Sequence, residues 1–171
     1  MNPRLCCPPL AALALLALAG CAGYRLGPVN GLAAGAKSIQ VLPFSNQTME
    51  PRLTDAVTSE LRKELQRDGT FRLASRDGDI IVNGVIIRYV RGELAFAPSD
   101  TLTVQDYRVS VTAQVTARDR ATGKVILNQP VSGSTLILVG NDLASSERQA
   151  MPLLADDLAQ HVTSLLTEGG W

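Results

Sequence analysis

Residues 107–118 read Tyr-Arg-Val-Ser-Val-Thr-Ala-Gln-Val-Thr-Ala-Arg, and side-chain character switches at every step. Tyr107, Val109, Val111, Ala113, Val115 and Ala117 alternate with Arg108, Ser110, Thr112, Gln114, Thr116 and Arg118. A period of two is the mark of a β-strand with one face in a core. The other face of this strand is polar, and between its two terminal arginines it carries no charge. Asp119-Arg-Ala-Thr-Gly-Lys then forms a hairpin turn, with Gly123 available for positive φ. A return strand follows from Val125 to about Val139, where Pro130 and Gly133 are expected to break or bulge it.

On the other side of the alternating stretch, Gly92 to Thr101 contains Pro98-Ser-Asp and reads as a loop. Before it, residues 80–90 (Ile-Ile-Val-Asn-Gly-Val-Ile-Ile-Arg-Tyr-Val) are nearly continuous in β-branched side chains. That composition predicts a central strand covered at least in part on both faces. Gly84 within it predicts a bulge or a close backbone approach. Phe71-Arg-Leu is a short strand, and Arg76-Asp-Gly-Asp a turn.

Ser38 to Phe44 reads as a first strand, ended or edged by Pro43. Glu50-Pro51 opens a helix, since proline is tolerated in a first turn. Leu53, Val57, Leu61 and Leu65 form its apolar stripe and Gly69 its stop. Met151, Leu154, Leu158, Val162 and Leu165 form a second stripe near the C-terminus, capped around Asn141 or Asp142. Pro152 either starts that helix or kinks it. Two helices with one apolar stripe each need a common surface, and the long strands offer one. The expected fold is a single α+β domain over residues 38–171. It has two helices packed on one face of a mostly antiparallel four- to five-stranded sheet, with the Ser/Thr/Gln face pointing away from the helices.

The 171 residues carry 16 Lys+Arg against 16 Asp+Glu, so no basic face stands out for binding nucleic acid. Three Cys that do not cluster and one His make no metal site and no disulfide framework. His161 lies near an apolar stripe without a nucleophile motif and reads as a structural or surface histidine. Asp156 and Asp157 are adjacent on a helix and point about 100° apart, which is a solvated face rather than a catalytic pair. No residues are left to carry an enzymatic reaction, and no cofactor is expected.

The N-terminus is the most informative part for function. Arg4 precedes a ten-residue Leu/Ala run, Leu10 to Ala19, which is half the length needed to span a bilayer. Residues 1–20 therefore read as a cleaved signal peptide. Leu18-Ala19-Gly20-Cys21 matches the lipobox of bacterial lipoproteins. The match implies diacylglycerol and an N-acyl chain on Cys21, enough for stable anchoring. Ala22 in place of Asp implies sorting to the outer membrane of a Gram-negative-type cell, at its periplasmic leaflet. Residues 21–37 combine the lipidated Cys with a Gly/Pro-containing stretch that reads as a tether or as an ordered loop lying on the domain.

Two surfaces are candidates for binding. Arg118, Arg120 and Lys124 bracket the hairpin tip and could hold the phosphates of an anionic glycolipid, or simply be a solvated turn. The uncharged row Ser110, Thr112, Gln114 and Thr116 is a candidate partner surface.

The sequence resembles the lipopolysaccharide-assembly lipoproteins of the LptE family. The resemblance lies in Gly23-Tyr-Arg-Leu-Gly after Cys21, Val41-Leu-Pro-Phe-Ser-Asn-Gln-Thr, Leu53 to Leu61, Asp106 to Ala113, and Glu147 to Ala159. Ala22, which separates Cys21 from Gly-Tyr, departs from the pattern of many members. The resemblance implies a non-enzymatic lipoprotein that binds and plugs a large outer-membrane β-barrel of the LptD type. It also implies help in inserting lipopolysaccharide into the outer leaflet, with contact to lipopolysaccharide through basic residues. The opening Val-Leu-Pro-Phe-x-Asn-x-Thr, helix and Phe71-Arg-Leu also resemble periplasmic lipoproteins that activate a peptidoglycan synthase, and curli-exporter-like secretion lipoproteins.

Overall fold

The structure, a computed structural model, describes residues 34–97, 100–138 and 142–169. The signal peptide, Cys21 and most of the 21–37 segment lie outside the described residues, as do Pro98, Ser99 and Asn141. The elements in chain order are β1 (Ser38–Val41), β2 (Ser45–Asn46), α1 (Leu53–Asp68), β3 (Arg72–Leu73), β4 (Ile80–Ala97), β5 (Asp100–Asp119), β6 (Val125–Leu138) and α2 (Leu143–Glu168).

The strands form one sheet in the order β3-β1-β4-β5-β6, with β2 pairing β4 off this path. The long strands β4, β5 and β6 are antiparallel, as expected. β1 runs parallel to both β3 and β4. The parallel pairing of β1 with β3 follows from α1 between them, because a crossover helix returns the chain in the same direction. The fold is α+β, with two helices on one face of a six-stranded sheet whose bulk is antiparallel.

Each helix forms where the apolar spacing predicts. α1 begins at Leu53, two residues after Pro51, and buries Leu53, Val57, Leu61 and Leu65. Full burial of one such side chain contributes roughly 1.5–3 kcal/mol. Gly69 closes the helix at φ 74°, its N–H donating to the Leu65 carbonyl at 3.3 Å. α2 is capped by Asp142, whose carboxylate accepts from the N–H groups of Ala144 and Ser145, both at 3.1 Å. It runs without interruption through Pro152, which neither starts it nor ends it. The carbonyl of Arg148 is the group deprived of its usual donor there. Leu166 rather than Leu165 completes the buried stripe, continuing the four-residue step from Leu158 and Val162. Ala150, Ala155 and Ala159 are buried beside that stripe and let the helix lie close to its neighbours.

Several expectations about the strands are corrected. Of the expected loop from Gly92 to Thr101, every described residue is strand: β4 continues to Ala97 and β5 begins at Asp100, paired with each other through an irregular register beyond Glu93. β6 is neither broken nor bulged at Pro130 or Gly133. It is the last strand of the sheet, and Pro130 has the same parity as Ser132 and Ser134, whose backbone groups face the outer edge. Its missing N–H therefore costs no ladder bond. Gly133 lies beneath α2, where an added Cβ would stand 2.5 Å from the Leu158 nitrogen. Gly84 is a close approach: the buried ring of Phe44 occupies the place of a side chain. Among the described residues, β4 is covered on one face only. Val82 and Ile86 are fully buried, Ile81 and Val85 are half-buried, and Ile87 and Val90 are exposed. The β-branched run reflects a strand with an apolar outer row, not one sandwiched between layers.

Candidate functional site

The face of the sheet that no other described element covers is built by the outward members of β4, β5 and β6. Ser110, Thr112, Gln114 and Thr116 all lie on it, half-buried by their neighbours, while Val109, Val111, Ala113, Val115 and Ala117 point under the helices. Register places Thr116 between Asn83 and Asn128, Gln114 between Val85 and Pro130, and Ser110 between Val90 and Ser134. The polar groups satisfy one another across strands. Gln114 Nε2 donates to Asn128 Oδ1 at 2.8 Å, Thr116 Oγ1 donates to the same oxygen at 3.3 Å, and the hydroxyls of Thr112 and Ser132 are 2.8 Å apart. Side chains already paired this way bind little water, so covering them costs less than covering free polar groups. Val90, Val125 and Leu136, exposed by 44%, 43% and 59%, share this face. Arg118 and Arg108 bound the row at its two ends, and Arg88, exposed, lies within the face opposite Thr112.

The hairpin tip looks different in the fold than in the sequence. Arg118, Arg120 and Lys124 are exposed, but the turn before β4 brings two further acids beside them. Arg120 pairs with Asp77 at 2.7 Å, and its N–H donates to the Asp79 carbonyl at 2.8 Å. Lys37 reaches Asp119 at 3.6 Å. Arg118 and Lys124 have no ion-pair partner among the described residues. Asp119 accepts from Thr122, backbone N–H and hydroxyl both at 2.9 Å, and these bonds hold its carboxyl below the ordinary range. Ala36, Lys37, Asp79, Asp119, Arg120 and Ala121 line an open cleft of about 580 Å³. Of the expected tether, Ala34 to Lys37 is therefore docked on the domain: Gly35 donates to the Thr70 carbonyl at 3.0 Å, and the Lys37 carbonyl accepts from Arg72.

His161 has a structural role, as expected, and Asp157, expected on a solvated face, shares it. Ser134 N–H donates to Asp157 Oδ2 at 2.7 Å, and His161 Nδ1 donates to the Ser132 carbonyl at 3.0 Å. Two side chains one helical turn apart thus occupy successive outward backbone groups of β6. Asp156 turns the other way, to Gln160 at 2.8 Å and Arg67 at 3.7 Å, so the adjacent carboxylates do not converge. The Asp-x-x-x-His spacing was the available signal, but nothing local says that a strand edge lies beneath it. Among the described residues no group of three His, Cys, Asp or Glu side chains is placed to hold a metal. No helix among them is long and apolar enough to cross a membrane.

The family profile for lipopolysaccharide-assembly LptE matches residues 36–166. No curated protein sequence matches the chain. Among solved structures, a hypothetical protein from Chlamydia trachomatis is similar with a TM-score of 0.57 at 12% identity, over 78% of this chain and 98% of that one. A minor lipoprotein from Acinetobacter baumannii gives 0.51 at 16% identity, over 77% and 93%. The PelC dodecamer from Paraburkholderia phytofirmans gives 0.50 at 21% identity, over 84% and 96%. At these identities the likeness is one of fold.

Proposed function

Because the chain belongs to the LptE family of lipopolysaccharide-assembly proteins, we propose that it is an outer-membrane lipoprotein, held at the periplasmic leaflet through acyl chains on Cys21, that plugs a large β-barrel of the LptD type and assists insertion of lipopolysaccharide into the outer leaflet. The family is a non-enzymatic one. The observation that carries the proposal is the uncovered sheet face. A face of exposed apolar groups and polar groups already paired with one another, with Arg88 as a cation within it, is a poor solvent face and a good protein interface. Ser110, Thr112, Gln114 and Thr116 are its polar centre, and Val90, Val125 and Leu136 its apolar margin. The strand-end loops at both ends extend the contact to the barrel.

A mild-detergent pull-down of the lipidated protein from outer membranes, with mass spectrometry of what co-purifies, tests this. A stoichiometric large β-barrel is the expected result. A penicillin-binding protein in its place would overturn the proposal in favour of activation of a peptidoglycan synthase, and a secretion-pore component in favour of the curli-exporter class.

Arg118, Arg120 and Lys124 are proposed to meet lipopolysaccharide phosphates by charge-assisted bonds. Because Arg120 is engaged by Asp77, Arg118 and Lys124 carry most of that role. Arg118→Glu with Lys124→Glu is expected to weaken lipopolysaccharide binding about tenfold or more without changing Tm. Unchanged binding would remove the tip from the path of the glycolipid.

A further inference from the structure

The end of the molecule from which the chain leads back to Cys21 is also its most cationic end. β1, β3, β4 and β6 start there and β5 ends there, since Ser38 pairs with Arg72, Ile39 with Ile80, Ile80 with Asp119, and Arg118 with Val125. The strand ends here and the loops that join them hold six cations, Lys37, Arg72, Arg76, Arg118, Arg120 and Lys124, against three carboxylates, Asp77, Asp79 and Asp119. Arg67, Asp68 and Glu168 at the helix ends behind them leave a surplus of two positive charges in a chain that is balanced as a whole. Lys37 and Arg120 have acidic partners, whereas Arg76, Arg118 and Lys124 have no ion-pair partner among the described residues. The carboxylate of Asp79 is taken by Ser38. Arg76, Arg118 and Lys124 are all exposed, so the uncompensated charge lies at the surface of this end.

Twelve residues separate Cys21 from Ala34, a reach of at most about 40 Å. Since Ala36 and Lys37 line the same cleft as Arg120 and Ala121, the chain reaches the domain beside the hairpin tip and not at the far end of the strands. We propose that, before it docks on its barrel, the anchored protein seats this end on the phosphates of the phospholipid leaflet that holds Cys21, with Arg118 and Lys124 of the hairpin and Arg76 of the neighbouring turn as the contacting cations. The proposal rests on the lipoprotein reading of Cys21. Guanidinium and ammonium groups at such a surface exchange mobile counterions for fixed phosphates, and the contact weakens within a Debye length. The strands run away from the seated end, so the sheet stands upright on the leaflet and its uncovered face is presented sideways, along the membrane.

The test uses the lipidated protein, expressed from the full chain and reconstituted in phosphatidylethanolamine/phosphatidylglycerol vesicles that contain a nickel-chelating lipid. Ala121→Cys at the tip and Gln149→Cys at the opposite end, both exposed positions, carry a spin label. Headgroup nickel is expected to relax the label at 121 several-fold more than the label at 149. Arg118→Glu with Lys124→Glu is expected to abolish that difference while the protein still floats with the vesicles. Equal relaxation at both positions overturns the proposal, and so does a difference that survives charge reversal or persists in vesicles of phosphate-free galactolipid. If the wild-type protein does not float at all, the lipoprotein reading itself has failed, and the seating with it.

Discussion

Ser38 and Asp79 show how one short contact fixes the start of the sheet. Asp79 Oδ2 accepts from Ser38 N–H at 2.8 Å and from its hydroxyl at 2.7 Å, and Asp79 N–H donates back to that hydroxyl at 3.0 Å. The backbone bond first, then the hydroxyl, hold the Asp79 carboxyl below its ordinary value of 3.8. A depressed carboxylate stabilises the fold above its unfolded pKa, and that contribution is lost as pH falls through the folded value. Asp79→Ala is therefore expected to lower Tm at pH 7, with the gap to wild type closing below about pH 4. A gap that stays constant between pH 7 and pH 2 would show that the loss is one of packing and not of the carboxylate. Nothing in Arg76-Asp-Gly-Asp identified Asp79 as the residue that clamps the first strand, because its partner lies 41 positions away. Gly84 was more legible. A glycine within a β-branched run announces that something needs its space, but only the fold identifies the ring as that of Phe44.

At the level of elements, the seam between α2 and β6 decides the shape of one side of the molecule. Gly133 lets the helix backbone come down to the strand at Leu158, and that approach brings Asp157 and His161 within reach of Ser134 and Ser132. Pro130, with no donor to offer, continues the same outer row. Together they seal the middle of an edge that would otherwise invite another strand. Gly133→Ala is expected to cost about 1–3 kcal/mol, because the added methyl meets backbone that cannot step aside. Urea unfolding should show this as a lower midpoint with an unchanged slope. A loss under about 0.5 kcal/mol would mean that the helix can lift without penalty. Read locally, Pro130 and Gly133 are strand breakers; they are tolerated because one sits on an edge and the other under a helix, and neither circumstance is written in its neighbours. Pro152 is a similar case, carried by a helix whose packing outweighs one missing bond. The four-residue steps of Leu53 to Leu65 and of Leu154 to Val162 needed no such context, which is why both helices could be placed in advance.

For the whole molecule, alternation in residues 107–118 was enough to predict one sheet with a covered and an open face, and the polar row on the open face was legible residue by residue. The strand order was not, because β1 lies between β3 and β4 through pairings that are distant in sequence and only two and three residue pairs long. The docking of Lys37 against Asp119 was hidden for the same reason. The acids that temper the hairpin tip come from a turn about forty residues before it. The insertion of β1 between two parallel neighbours has a mechanical meaning. A pull on the chain ahead of Ser38, directed along the strand, loads the ladders to β3 and β4 in shear, so their bonds must yield together instead of unzipping one at a time. A strand of four residues with a ladder on each side is a better point of attachment for a tensioned leash than a longer strand hung on a sheet edge.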